Sequence, residues 1–231
     1  MHDTKIPDAV LAEARDRRGG KRFAFDPLEP QKLALLIVDM QVFFVQPGEN
    51  GSTTYAEQIV PNINRLAEAV RRTGGTVIWI TSNFGDNIAE DWSVLMRHIY
   101  APSRSQVVIE NLQEGGAGFP LWPDLKVEAD DWHIEKDRFS AFIQGSSNLE
   151  DRLREAGLDT VAVTGTLTNV CCESTARDAM MLNFKPLMIT DANAANNDAD
   201  HNNSLAGLAR VFVDLMSTDE LIARLTGNPD T

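Results

Sequence analysis

Residues 160–175 read TVAVTGTLTNVCCEST. Thr160 to Thr164 is a short apolar run with β-branched residues, the pattern of a strand buried on both faces. Gly165 then permits a sharp turn, because it has no Cβ to clash. From Val170 to Leu182 the chain reads as a helix. A strand, a glycine turn and a helix form the repeating unit of a parallel α/β fold.

Working outward, the unit recurs. Leu33 to Val38 (LALLIV) and Thr76 to Thr81 (TVIWIT) read as buried strands. Trp132-His133-Ile134 is a weaker strand, and Pro186 to Thr190 (PLMIT) another. Between them lie helices. Ile59 to Thr73 carries Ile59, Ile63, Leu66 and Val70 at helical spacing and stops at Gly74-Gly75. Leu149 to Ala156 stops at Gly157. A further helix runs from about Asn203 to Val211, and Ser217-x-x-Glu220 is a capping box opening a last one through Leu225. Such alternation predicts one doubly wound α/β domain over residues 27–231, its parallel strands joined by crossover helices on both faces.

Two stretches depart from the pattern. Residues 1–26 form an N-terminal arm, with a short helix from Pro7 to Arg18 and then the basic patch Arg17-Arg18-Gly19-Gly20-Lys21-Arg22. This arm is expected to be solvated or to pack on a neighbouring subunit. Gly85 to Lys126 is irregular and rich in Gly, Pro and aromatics. Ligands of open α/β sheets bind beyond the carboxyl ends of the strands, so this segment is a candidate lid or pocket wall.

Composition narrows the function. The chain has 231 residues, 21 Lys plus Arg, 34 Asp plus Glu and a formal net charge of −13. Nucleic acid and anionic membranes reward a basic face, so neither is an expected partner. No apolar run approaches the roughly 18 residues of a membrane span, and the polar start lacks a signal-peptide core. Two adjacent cysteines cannot build a disulfide framework. The expected compartment is a reducing cytoplasm.

Chemistry is sought where strands end. Asp39 closes the first apolar run, and a carboxylate there is costly unless paired. Cys171 falls at the start of a helix, where free N–H groups and a partial positive charge are expected to lower a thiol pKa and to hold an oxyanion. The competing reading makes it a small buried hydrophobe. A nucleophilic Cys needs a partner. The four histidines, His2, His98, His133 and His201, follow no strong strand, and no pair has metal-ligand spacing. Lys136, in EKDRFSAF just past the weak strand, is the alternative partner. A redox role for Cys171-Cys172 is poor, since redox pairs have two intervening residues.

Taken together, LALLIVDMQ, EKDRFSAF and VTGTLTNVCCESTARDA resemble the isochorismatase-like cysteine hydrolases over roughly residues 30–225. The resemblance implies a six-stranded parallel sheet and a triad of Cys171 as nucleophile, Asp39 as general base and Lys136 between them. It implies a cis peptide at Thr166-Leu167 and an oxyanion hole made by the Leu167 and Cys171 N–H groups. Cys172 is read as core. The block around Cys171 is most similar to the ureidoacrylate, N-carbamoyl and biuret amidohydrolase branch. The implied activity is hydrolysis of a C–N amide or ureido bond of a small molecule through a thioester. The rival reading is a non-catalytic binding module with an inert Cys.

Within that resemblance the chain has its own features. Cys171 argues against the vinyl-ether chemistry of isochorismatases proper. The stretch Thr81 to Asp86 has no His, so no metal and no other cofactor is expected. Val42-Phe43 replaces the usual Asn-Asp, which suggests an aromatic pocket. Gln41, Phe44, Phe84, Arg138 and Phe142 are the candidate substrate contacts; Arg138, more than Arg177, is a candidate reader of a carboxylate. The family tends to form homo-oligomers, so a dimer or tetramer is expected.

Overall fold

The structure, a computed structural model, describes residues 1–48 and 51–227. The last four residues of the expected 27–231 domain lie outside the described residues. Six parallel strands run in the order β3-β2-β1-β4-β5-β6: β1 Leu33–Val38, β2 Thr76–Ser82, β3 Trp132–Lys136, β4 Thr160–Thr166, β5 Lys185–Ala194 and β6 Asp214–Met216. The α-helices among the described residues are α1 Asp8–Arg17, α2 Val42–Val45, α3 Ala56–Arg72, α4 Ile88–Asp91, α5 Pro102–Asn111, α6 Leu149–Glu155, α7 Glu173–Met181, α8 Asp198–Ala209 and α9 Thr218–Leu225.

β1 shows why the fold has three layers. All six of its residues are buried, and successive side chains must point to opposite faces. Leu33, Leu35 and Ile37 join Ile59, Ile63 and Leu66 of α3 and Leu221 of α9. Ala34, Leu36 and Val38 join Leu149 of α6, Ala176 of α7 and Leu205 of α8. An unbroken aliphatic run is therefore required, because neither face meets water.

The chain leaves β1 toward β2 and β3, then returns past β1 to β4, β5 and β6. The strand order reverses between β1 and β4, and the crevice at their carboxyl ends is where ligands of such sheets bind. Gly165 makes this junction close. Its φ is +112°, and a Cβ there would lie 2.1 Å from the Val38 carbonyl oxygen. Gly165→Ala is expected to lower the unfolding free energy by more than about 3 kcal/mol, through a forbidden φ and a backbone clash together. Chemical denaturation checks this; an unchanged midpoint would contradict it.

The structure differs from the sequence expectation in three of its elements. The segment 85–126 is partly helical: α4, a wide helical turn Val94–Ile99 and α5 enclose an apolar cluster of Phe43, Phe84, Ile88, Leu95, Met96, Val108 and Leu112. Short helices broken by Pro102 gave too little periodicity to find. β6 has only three residues, Asp214–Met216, without a β-branched side chain. α8 starts at Asp198, where the Asn197 side chain accepts from the Asp200 N–H.

The arm packs on its own chain. The Arg18 guanidinium pairs with buried Asp214 at 2.9 Å and donates to the carbonyls of Ala209 and Val213. Asp214 also accepts from the Ala24 and Phe25 N–H groups. Arg17 pairs with Glu13, and Arg22 with Glu220. The basic patch is thus occupied by partners within the chain. No described helix is long and apolar enough to cross a membrane.

Candidate active site

Three strand ends meet beyond the carboxyl edge of the sheet. Asp39 follows β1, Ser82 closes β2 and Lys136 closes β3, in register with Ser82. The Lys136 ammonium donates to Asp39 Oδ2 at 2.8 Å, to Ser82 Oγ at 2.9 Å and to the Arg138 carbonyl at 3.1 Å. Ser82 Oγ donates to Asp39 Oδ1 at 2.9 Å. The side chains of Asp39 and Lys136 are 0% exposed. A buried charge of either sign alone would be strongly unfavourable, so each requires the other. Burial by itself disfavours the ammonium, but the Asp39 carboxylate and the nearby sulfur outweigh it and hold Lys136 above the usual lysine range.

The fourth member comes from β4. The Thr166–Leu167 peptide is cis. A wide helical turn, Thr168–Cys172, follows and leads into α7. The Cys171 thiol is close enough to Asp39, Lys136 and the Leu167 N–H for all three to act on its ionisation. The expectation of a lowered thiol pKa is reversed. Burial, the largest influence, pushes the Cys171 thiol far above its ordinary range, and Asp39 adds to this; Lys136 and the Leu167 N–H pull the other way. The wide turn sinks Cys171 to 6% exposure. There desolvation outweighs the helix-terminus field. The resting state is a neutral thiol beside a carboxylate that can take its proton.

Cys172 has a different setting. It is 0% exposed, lies in the core with Ala176 and Val163, and its thiol points to the Thr164 carbonyl at 3.8 Å. Cys172→Ala is expected to cost about 1 kcal/mol of stability and to leave turnover unchanged. A melting curve and a rate measurement check both halves; loss of turnover in a folded variant would contradict the division of roles.

The pocket candidates separate by what they touch. The Gln41 amide is engaged with main chain: Nε2 donates to the Ser82 and Phe119 carbonyls and Oε1 accepts from the Ser82 N–H. It fixes Ser82, and through it Asp39. Phe84 is buried and edge-on to Trp92, while Phe44 is edge-on to Phe43. Phe142 packs on Phe184. The Arg138 guanidinium lies 5.2 Å from the Trp92 ring centroid and donates to the Asp137 and Asp91 carbonyls. Arg177 pairs with Glu173 at 2.6 Å, one turn away.

Sequence reasoning missed Ser82, Thr166 and Tyr100. Ser82 had a signal, since it ends β2 as Asp39 follows β1. Thr166 Oγ1 donates to the Asp39 carbonyl at 2.9 Å, holding a residue whose φ is +53°. Tyr100, from the segment 85–126, lies within electrostatic reach of both Cys171 and Arg104; burial pushes its phenol above the ordinary range.

Comparison with known proteins follows this geometry. The family model described as Isochorismatase domain matches residues 33–220. "Probable inactive nicotinamidase At3g16190" of Arabidopsis thaliana is 33% identical over 182 residues, covering 78% of this chain and 89% of that protein. Ureidoacrylate amidohydrolase RutB of Caulobacter vibrioides is 28% identical over 178 residues, covering 72% of this chain and 78% of that protein. Among solved structures, a cysteine hydrolase from Pseudomonas syringae pv. phaseolicola 1448A superposes with a TM-score of 0.80 at 29% identity, covering 90% of this chain and 99% of that one.

Proposed function

The chain belongs to the isochorismatase-like hydrolase family, which has amidohydrolase members, and on that premise we propose that it is a cysteine hydrolase of a small-molecule C–N amide or ureido bond. One observation carries this reading: the Cys171 thiol lies beside a fully buried Asp39–Lys136 pair, 2.8 Å apart. A buried ion pair with a thiol on one side is poor structural economy. It suits a nucleophile with a fixed base.

In the proposed reaction Asp39 takes the Cys171 proton as sulfur bonds to the substrate carbonyl carbon. The carbonyl electron pair moves to oxygen, and the Leu167 and Cys171 N–H groups hold that oxyanion. The oxyanion collapses, the C–N bond breaks, and Asp39 gives its proton to the departing amine or ammonia. Asp39 then takes a proton from water as the water oxygen attacks the thioester. The C–S bond breaks, the acid leaves, and Asp39 returns the proton to sulfur. Lys136 keeps its charge throughout and stays paired with Asp39 through each half-reaction. The elevated resting pKa of the thiol is consistent with this cycle, because sulfur needs to lose its proton only when a carbonyl is in place.

A panel of ureido acids, biuret, N-carbamoyl amino acids and simple aryl amides, scored by ammonia or amine release, tests the proposal. Release from one class that depends on Asp39 supports it; none from any class, in protein whose Cys171 is intact, counts against it. The name of the Arabidopsis relative gives a second reading a footing: a binding module that keeps the fold without turnover. That reading expects the panel compounds to bind and remain uncleaved.

A further inference from the structure

The nucleophile turn is supported from behind by α8 and by the first residues of the chain. Thr168 opens that turn and is 0% exposed. Its hydroxyl meets His201 Nδ1 of α8 at 2.9 Å, and its carbonyl accepts from Ser204 Oγ, also of α8, at 3.3 Å. One residue is thus held at both its side chain and its main chain by a single neighbouring helix.

His201 is itself held. Its Nε2 meets Thr4 Oγ1 at 3.4 Å, and its ring stacks on His2 with centroids 4.2 Å apart. His2 lies between His201 and Tyr55, which stacks on its other face at 3.8 Å. The Ala195 N–H donates to His2 Nε2, so Nδ1 carries the ring proton and donates to Asp198 at 2.7 Å. The Lys5 N–H donates to Asn202, and Asn202 donates to the Asp3 carbonyl. Residues 2–5 therefore lie along the first turns of α8 as a strap. Burial, with His2 beside it, pushes His201 down to about 4. It is neutral at ordinary pH, and a neutral ring can serve Thr168 and Thr4 at once through its two nitrogens.

We infer that His201, backed by His2 of the N-terminal strap, is a positioning residue that holds the Thr168–Cys172 turn, and with it Cys171, in place beside Asp39 and Lys136. This rests on the proposed nucleophilic role of Cys171. The geometry gives the causal order. His201 fixes Thr168; Thr168 opens the turn that carries Cys171; and the Leu167 carbonyl, one residue before Thr168, accepts from the Val170 and Cys172 N–H groups on either side of Cys171. His201 touches neither sulfur nor Asp39, so its effect is on the fraction of reactive thiolate.

The test is the rate at which iodoacetamide labels Cys171 at pH 8, followed by peptide mass mapping with Cys172 as the internal reference. His201→Leu is expected to slow labelling of Cys171 about fivefold, since the thiolate is the reacting species. His201→Asn places a hydrogen-bonding amide where Nδ1 stood and is expected to restore most of the rate, which a space-filling role would not. Thr168→Val removes the same hydrogen bond from the other partner and is expected to match His201→Leu, so the test stands even if one of the two fails to fold. Labelling of His201→Leu or Thr168→Val at or above the wild-type rate overturns the inference and leaves the proposed function intact. A wild-type Cys171 that labels no faster than Cys172 overturns both.

Discussion

Cys171→Ala is expected to reduce turnover by at least about 10⁴-fold while leaving the protein folded. The size of the effect follows from what is lost. Removing the nucleophile of a covalent catalyst removes the whole two-step route, and the remaining site offers only binding and oxyanion contacts. The fold has little reason to respond. Asp39 keeps its hydrogen bonds to Ser82 and Lys136, so no buried charge is left without a partner, and one sulfur atom disappears from a site 6% exposed. Rates and melting curves measured on the same preparation check this. A folded Cys171→Ala protein with wild-type activity would remove Cys171 from the mechanism.

Lys136→Met has the second largest expected effect, and it falls on stability and activity together. Methionine fills similar space without the charge. The Asp39 carboxylate would then be 0% exposed with no cation beside it. Breaking a buried pair from one side costs about 3–5 kcal/mol, because the remaining charge stays desolvated. With no cation beside it, the buried site disfavours the charged carboxylate that the mechanism needs as base. A protonated Asp39 cannot accept the Cys171 proton. The variant is therefore expected to unfold at lower denaturant and to turn over about 10³-fold more slowly, the middle of the range for a lost general base. Lys136→Met with unchanged midpoint and rate would show that the ion pair serves neither purpose.

The parts of this molecule that could be read from its sequence are those whose cause is local. β1 announced itself because burial on both faces requires LALLIV to be apolar throughout. Asp39 stood out as a carboxylate closing an apolar run and Cys171 as a thiol opening a helix, but only the family resemblance joined Lys136 to them. The direction of the Cys171 pKa was not, because it depends on how deeply a wide turn sinks the sulfur. Nor was the strap. His2 and His201 stack across nearly the whole length of the chain, and nothing near either residue signals the other. The role of Gln41 also changed. Its position beside Asp39 suggested a substrate contact, but its amide meets only main chain. The segment 85–126 was visible as irregular, while its helices were too short for periodicity to show.

The most direct test of the central claim is the mass of the protein quenched in acid during turnover of whichever panel compound it cleaves. The account predicts a fraction of wild-type chains heavier by the acyl part of that compound, with the added mass on the peptide containing Cys171 and none on Cys171→Ala protein. Steady turnover with no adduct in wild type, at a rate that survives Cys171→Ala, would contradict it.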